Sequence, residues 1–417
     1  MVSVTRLASG LTVTTEAMSD VRSVALGFWV GVGSRDEGPG ELGASHFLEH
    51  LLFKGTSTRS AREIAEAIES VGGEMNAFTA KDHTVFYLRL LAEDLELGLD
   101  VLCDIMWDPA FRPDEVEAER KVILEEILMI GDEPADLVHE LLAAGRWPGH
   151  PLGREVLGDE ATITDMRPDS IRAFHDRYYR PGVTVLAAAG RVDHDALVDG
   201  VERRFAACGR PAGGERPERR PPDGRPEALV VHTRRTEQAH LALGLPSVDR
   251  HDPDRHAATV LVQVLGEGAS SRLFQEIRER RGLAYSVYAY RSGYDDGGLV
   301  AVYAGTAPKR AAETLRVMTG ELERLIDGVS DRELAIARGS IVGSIALGLE
   351  DSGARMSRIG RSLLVHGEVP SVEEVTARFA TVTPEDLRRV AARLLDGPRT
   401  VAVVGPFDID KVSAWLS

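Results

Sequence analysis

Apolar positions along the chain fall into two kinds of run. Residues 11–15, 23–32 and 183–189 are short runs, alternating or continuously apolar, and they predict strands in the first half. Residues 229–232, 240–245, 286–291, 299–305 and 400–404 predict strands in the second half. Between them lie segments with the period of a helix, among them residues 255–265 and 114–130. In the latter, Val116, Val122, Ile123, Ile127 and Ile130 give the apolar stripe. Strands and long amphipathic helices mix without strict alternation. That order predicts an α+β fold, helices packed on a mostly antiparallel sheet, rather than a doubly wound parallel sheet. Residues 209–228, GRPAGGERPERRPPDGRPEA, have no apolar period and are rich in Pro, Gly and Arg. They read as an exposed linker between a first domain, 1–208, and a second, 229–417, which look like diverged copies of one plan.

Composition narrows the class. The chain of 417 residues is too long for one ordinary core, which agrees with two domains. At 43% hydrophobic and 28% charged residues it has the make-up of a globular protein. A formal charge of −17 argues against sequence-independent nucleic-acid binding, which needs a basic face. No apolar run approaches the roughly 20 residues that cross a bilayer, so no membrane partner is expected. The opening MVSVTRLASGLTV lacks a basic flank followed by an apolar core, and no secretory signal is expected. Cys103 and Cys208, two isolated thiols, form neither a disulfide framework nor a cysteine-rich zinc site. The expected setting is the cytoplasm.

The chemistry concentrates in residues 43–56, GASHFLEHLLFKGT. Apolar Phe47, Leu48, Leu51, Leu52 and Phe53 surround His46, Glu49 and His50, and Gly55 is placed to stop the helix. His46 and His50, four apart, lie one turn apart on one face, so both imidazoles can bind one ion, with Glu49 beside them. The order H-x-x-E-H is the inverse of the HExxH zinc motif. Catalytic zinc usually takes three protein ligands and keeps one position open. The third is sought on the helix 114–130, where Glu119 and Glu126, seven apart, project from nearly the same face. Glu125 is the adjacent competitor, which residue pattern alone does not separate from Glu126.

HFLEH followed at a distance by ERKVILEEI resembles the pitrilysin family of inverted-motif zinc peptidases, which includes insulin-degrading enzyme and the mitochondrial processing peptidase. The resemblance extends through GGEMNAFTAKDHTVFYLRL (72–90), YYRPGVTVLAAAG (178–190) and SSRLFQEIRERRGLAYSV (270–287). It implies the processing-peptidase-like metallohydrolase fold of two homologous domains. It also implies one zinc ion per chain, held by His46, His50 and, through the family spacing, Glu126, with Glu119 supporting the first ligands. The implied activity is that of a zinc metalloendopeptidase, a hydrolase of peptide bonds. Glu49 takes the proton of the attacking water and passes it to the leaving amine. Because ligation needs neutral imidazoles, activity is expected to fall at acidic pH.

The family reading places Asn76, Ala77 and Thr79 on an edge strand that binds substrate backbone by strand addition; pattern alone reads it as an ordinary hairpin strand after Gly72 and Gly73. It places Arg278 and Tyr285 on the substrate and the developing oxyanion, with Arg280 and Arg281 as neighbours that miss the spacing. One-chain members close two halves of this size around unfolded peptides. This chain has the length of one half but carries both motifs, which implies a homodimer whose Arg278 and Tyr285 complete the other subunit's site. The acidic balance favours basic peptides. The alternative is a catalytically silent partner or scaffold subunit, a role that in this family usually goes with loss of the HxxEH residues. A metal-dependent hydrolase of small molecules is the further rival.

Overall fold

A computed structural model describes residues 2–416. Two compact units emerge. One comprises Met1–Ile127, Glu155–Glu218 and Ala346–Pro370; the other comprises Leu128–Arg154, Arg219–Ile345 and Ser371–Ser417. The stretch 209–228 has no helix or strand and is divided between the units after Glu218. It is tied down by backbone bonds from Gly182 to Gly213, from Gly213 to Ser9 and from Glu227 to Gly145.

The first unit holds β1 (Val2–Arg6), β2 (Thr12–Ala17), β3 (Ser23–Val30), β4 (Glu74–Thr79), β5 (Thr84–Leu91) and β6 (Thr184–Gly190). They form one sheet in the order β1-β2-β6-β3-β5-β4, antiparallel except for the pair β2 and β6. The second unit holds β7 (Leu229–Thr233), β8 (Ala239–Pro246), β9 (Ala284–Gly293), β10 (Gly298–Thr306) and β11 (Thr400–Gly405). Their order is β7-β11-β8-β10-β9, antiparallel except for β7 and β11. Apart from β1, the second sheet repeats the order and sense of the first. The fold is α+β, with both sheets packed against helices.

Four helices matter most for the site and for the packing of the sheets: α1 (Ala44–Leu51), α2 (Pro113–Asp132), α3 (Pro134–Arg146) and α4 (Ser352–His366). Each sheet is covered on both faces, which is why β3 reads SVALGFWV, nearly all apolar. Val24, Leu26 and Phe28 face a core shared with α1 and α2, while Ala25 and Trp29 face α4 through Met356 and Ile359. A fully buried Val, Leu or Phe contributes roughly 1.5–3 kcal/mol, so neither face tolerates a polar residue cheaply. In the second unit α3 covers one face with Val138, Leu142 and Ala143 against Ala242, Ala301 and Val404.

The seat of α4 is close. Trp29 Nε1 donates to Met356 Sδ at 3.3 Å, and a methyl group on Gly360 would lie 2.4 Å from that nitrogen. Glu16, buried on β2, accepts from Arg355 at 2.7 Å and from Arg358 at 3.0 Å. Among the described residues no helix is long and apolar enough to cross a membrane.

Candidate metal centre

The short helix α1 is fixed at its N-terminal end and along its buried side. Gly43 precedes it with φ 88°, a left-handed conformation that penalises a side chain, and a Cβ there would lie 2.4 Å from the Leu157 carbonyl oxygen. Buried Glu37 accepts from the Gly43 amide at 2.7 Å and the Ser45 amide at 2.8 Å, satisfying open N–H groups of the first turn. Phe47, Leu48 and Leu51 bury one side in the core. Arg120 of α2 lies 5.6 Å over the Phe47 ring and donates to the Ile163 carbonyl and, at 2.7 Å, to the Met166 carbonyl. These contacts hold α1 and α2 side by side. The helix ends at Leu51, a turn before the predicted stop. Gly55 (φ 119°) serves instead in the following turn, where it bridges to Ser60.

His46, His50 and Glu126 present donor atoms that all lie within 4.8 Å of one another. His46 Nε2 is 3.7 Å and His50 Nε2 is 3.5 Å from Glu126 Oε2. A tetrahedral zinc site with bonds of about 2.0–2.2 Å has ligand-to-ligand edges of about 3.4 Å, close to both separations. The protonation pattern supports the same occupant. Glu119 Oε2 accepts from His50 Nδ1 at 3.0 Å, so in the neutral ring Nε2 is a bare acceptor. That lone pair faces Glu126 Oε2, which is buried and has no hydrogen-bond partner. Two acceptors at such a distance repel unless a cation, whether a metal ion or a proton, lies between them. Burial, then the neighbouring His50, lowers the His46 imidazole from 6.5 to about 4, which leaves His46 neutral at pH 7 and available to a metal. The donor set therefore fits a divalent zinc ion.

Glu119 is itself held. Lys54 Nζ lies 2.7 Å from Glu119 Oε1, and the carboxylate is largely buried. Sequence reasoning misses Lys54, which lies in the turn that follows α1, four residues after His50. Glu125, by contrast, is exposed and lies outside the donor cluster. The predicted apolar stripe of α2 needs one correction. Val122 is 43% exposed, because it lies beyond Glu119 and Glu126 on the side away from Val116 and Ile123.

Glu49 stands apart from the donor cluster. Its Oε2 accepts from Thr79 Oγ1 at 2.6 Å. Burial raises its carboxyl above the ordinary value, and the Thr79 hydrogen bond works against that rise. Asn76, Ala77 and Thr79 all lie on β4, at the open edge of the first sheet. Asn76 is exposed and its Oδ1 accepts from the Ala77 amide at 2.8 Å, while Ala77 is buried against the core. Arg278 and Tyr285 belong to the second unit. The Arg278 guanidinium lies 4.2 Å over the Tyr285 ring and donates to the Tyr285 carbonyl at 3.3 Å, in a π-helical segment, Phe274–Arg280. Tyr285 is 77% exposed. Arg280 and Arg281 pair with Glu276 instead.

Comparison with known proteins places this arrangement. Residues 12–160 match the sequence model of the family described as Insulinase (Peptidase family M16). Residues 165–341 match the one described as Peptidase M16 inactive domain, a span that contains none of His46, Glu49, His50, Glu119 and Glu126. An uncharacterized zinc protease of Streptomyces coelicolor is 47% identical over 423 residues, covering 99% of this chain and 91% of its own. One of Mycobacterium tuberculosis is 46% identical over 407 residues, covering 96% and 92%. One of Bacillus subtilis is 38% identical over 404 residues, covering 95% and 97%. A crystal structure from Pseudomonas fluorescens, described as a peptidase M16 inactive domain, has a TM-score of 0.90 at 22% identity and covers 98% of each chain. That of a protease from Helicobacter pylori has 0.90 at 23%, covering 97% of this chain and 99% of the other. At those identities the structural likeness speaks for the fold alone. With the family's sequence models matched in both halves and a relative 47% identical along nearly its whole length, the chain belongs to peptidase family M16.

Proposed function

We propose that this protein is a zinc-dependent endopeptidase, with one zinc ion per chain held by His46, His50 and Glu126. The observation that carries the reading is the convergence of His46 Nε2 and His50 Nε2 on the one Glu126 oxygen at 3.7 and 3.5 Å, an oxygen with no hydrogen-bond partner, which a single divalent ion would satisfy. Zinc, when bound, polarises the scissile carbonyl and makes water acidic enough to be activated near neutral pH. Glu49 takes the proton of the attacking water on a carboxylate oxygen and returns it to the leaving amine nitrogen. Burial raises its proton affinity, which favours the first half of that transfer. Glu119 orients His50 and fixes its tautomer, and Lys54 keeps Glu119 in place.

The substrate is an extended peptide that adds to the open edge of β4 near Asn76 and Ala77. Arg278 and Tyr285, stacked as one unit, serve the substrate and the developing oxyanion, contributed by the second subunit of a homodimer that closes around unfolded chains. An obligate monomer with full activity would refute the shared site. The two free cysteines, Cys103 and Cys208, support a reducing, cytoplasmic setting. The test of the reading pairs metal analysis with Glu49→Gln. The variant is expected to keep stoichiometric zinc and lose peptide cleavage; normal cleavage by the variant would remove Glu49 from its role.

A further inference from the structure

We infer that Thr79 is a positioning residue for Glu49, coupling the docking of a peptide on β4 to the orientation of the general base. The inference rests on the peptidase reading above and adds to it the residue that aims the base. Thr79 Oγ1 donates to Glu49 Oε2 at 2.6 Å, the length of a charge-assisted O–H···O bond. The same hydroxyl lies 3.5 Å from the Ser45 carbonyl of α1, but it has one proton, and the shorter contact to the carboxylate takes it.

Strand alternation explains why this side chain can reach α1. Ala77 and Thr79 share a face of β4, and Ala77 is buried in the core that α1 helps to form. Asn76 and Phe78 point to the other face, where Phe78 packs edge-on with Trp29 and His83. A residue whose work was to contact substrate with its side chain would not spend its hydroxyl on the helix behind the strand. Thr79 is the last residue of β4 and pairs with Thr84 of β5, while the far edge of the strand stays open. A peptide paired along that edge immobilises β4, and with it the hydroxyl that fixes one carboxylate oxygen of Glu49. The other oxygen is left to receive the proton of water.

Thr79→Val keeps the shape and removes the donor. Its kcat is expected to fall by about 10- to 100-fold, the range for losing a hydrogen bond to a charged group. KM for a peptide and zinc affinity should be unchanged, and Thr79→Ser should restore most of the rate. A second readout needs no turnover. In crystals of the metal-free protein, the Glu49 carboxylate should sit against Thr79 in the wild type and leave that position in Thr79→Val. An unmoved carboxylate, an unchanged kcat, or a raised KM at constant kcat would each overturn the inference. If the wild type loaded with zinc cleaves no peptide, the peptidase reading fails, whereas the metal-free crystals still decide whether Thr79 holds Glu49.

Discussion

Removing Glu119 tests whether the layer behind the donor set does its share of the binding. Its Oε2 is the acceptor for His50 Nδ1 at 3.0 Å, and its Oε1 meets Lys54 Nζ at 2.7 Å. Glu119→Gln keeps a carbonyl oxygen for His50 but replaces a charge-assisted bond with a neutral one of roughly half the strength. Zinc affinity should fall about tenfold, or about 1.4 kcal/mol. Glu119→Ala removes the acceptor altogether. The His50 ring then loses its tautomer preference, and its proton has no partner in a side chain only 18% exposed. Affinity should fall by up to about 100-fold, the upper range for loss of such an outer partner. Lys54, 34% exposed, turns to water and contributes little to that loss. The assay is competition between metal-free protein and a chelating dye at neutral pH, with exposed Glu125→Ala as the control that should bind as the wild type does. Wild-type affinity in Glu119→Ala would refute the reasoning, since it would mean that His50 needs no orienting carboxylate.

Three further outcomes are expected from the packing and the charges. In chelator-treated protein His46 titrates at about 4 when folded against an ordinary 6.5, so the unfolded chain takes up the proton first. The stability due to neutral His46 is full above pH 6.5 and lost as pH falls toward 4, amounting to roughly 2 kcal/mol by pH 5. His139, His175 and His240, each lowered by burial, act in the same direction. Buried Glu37, raised to about 8, and Glu49, also raised by burial, act in the opposite direction. The measure is therefore the stability difference between the wild type and His46→Asn, and an equal difference at pH 7.5 and pH 5 would contradict this. Gly360→Ala places a methyl group 2.4 Å from the Trp29 indole nitrogen. The overpacking cost of about 1–3 kcal/mol should exceed the gain in helix propensity, about 1 kcal/mol at most, and thermal unfolding should show a net loss. Glu16→Ala strips Arg355 and Arg358 of a shared buried carboxylate and should destabilise the first unit by on the order of 3 kcal/mol, read as loss of amide-exchange protection across β2, β6 and α4.

Much of the site is legible in the sequence because it is local. The four-residue spacing of His46 and His50 needs only one helical turn to become a pair, and the seven-residue spacing of Glu119 and Glu126 needs two. The eight predicted strands all appear, because each is an apolar run long enough to be buried on one face or both. Pairing at a distance is not legible. Met356, Ile359 and Leu363 mark an apolar face on α4, but periodicity does not say that Trp29, more than 300 residues earlier, will lie under it. Val122 misleads because it is apolar and helical yet sits on the carboxylate side of α2. The role of Thr79 escapes a sequence reading because the pattern of a strand tells what it offers along the sheet edge and not which helix lies beneath its side chain.

The central claim, that one divalent ion is shared by three side chains from two helices, is met most directly by anomalous diffraction from crystals of the zinc-loaded protein. One peak per chain is expected, at about 2.0–2.2 Å from His46 Nε2, His50 Nε2 and a Glu126 oxygen, with Glu49 unbound and still hydrogen-bonded to Thr79. A peak elsewhere, or none at full zinc loading, would contradict it.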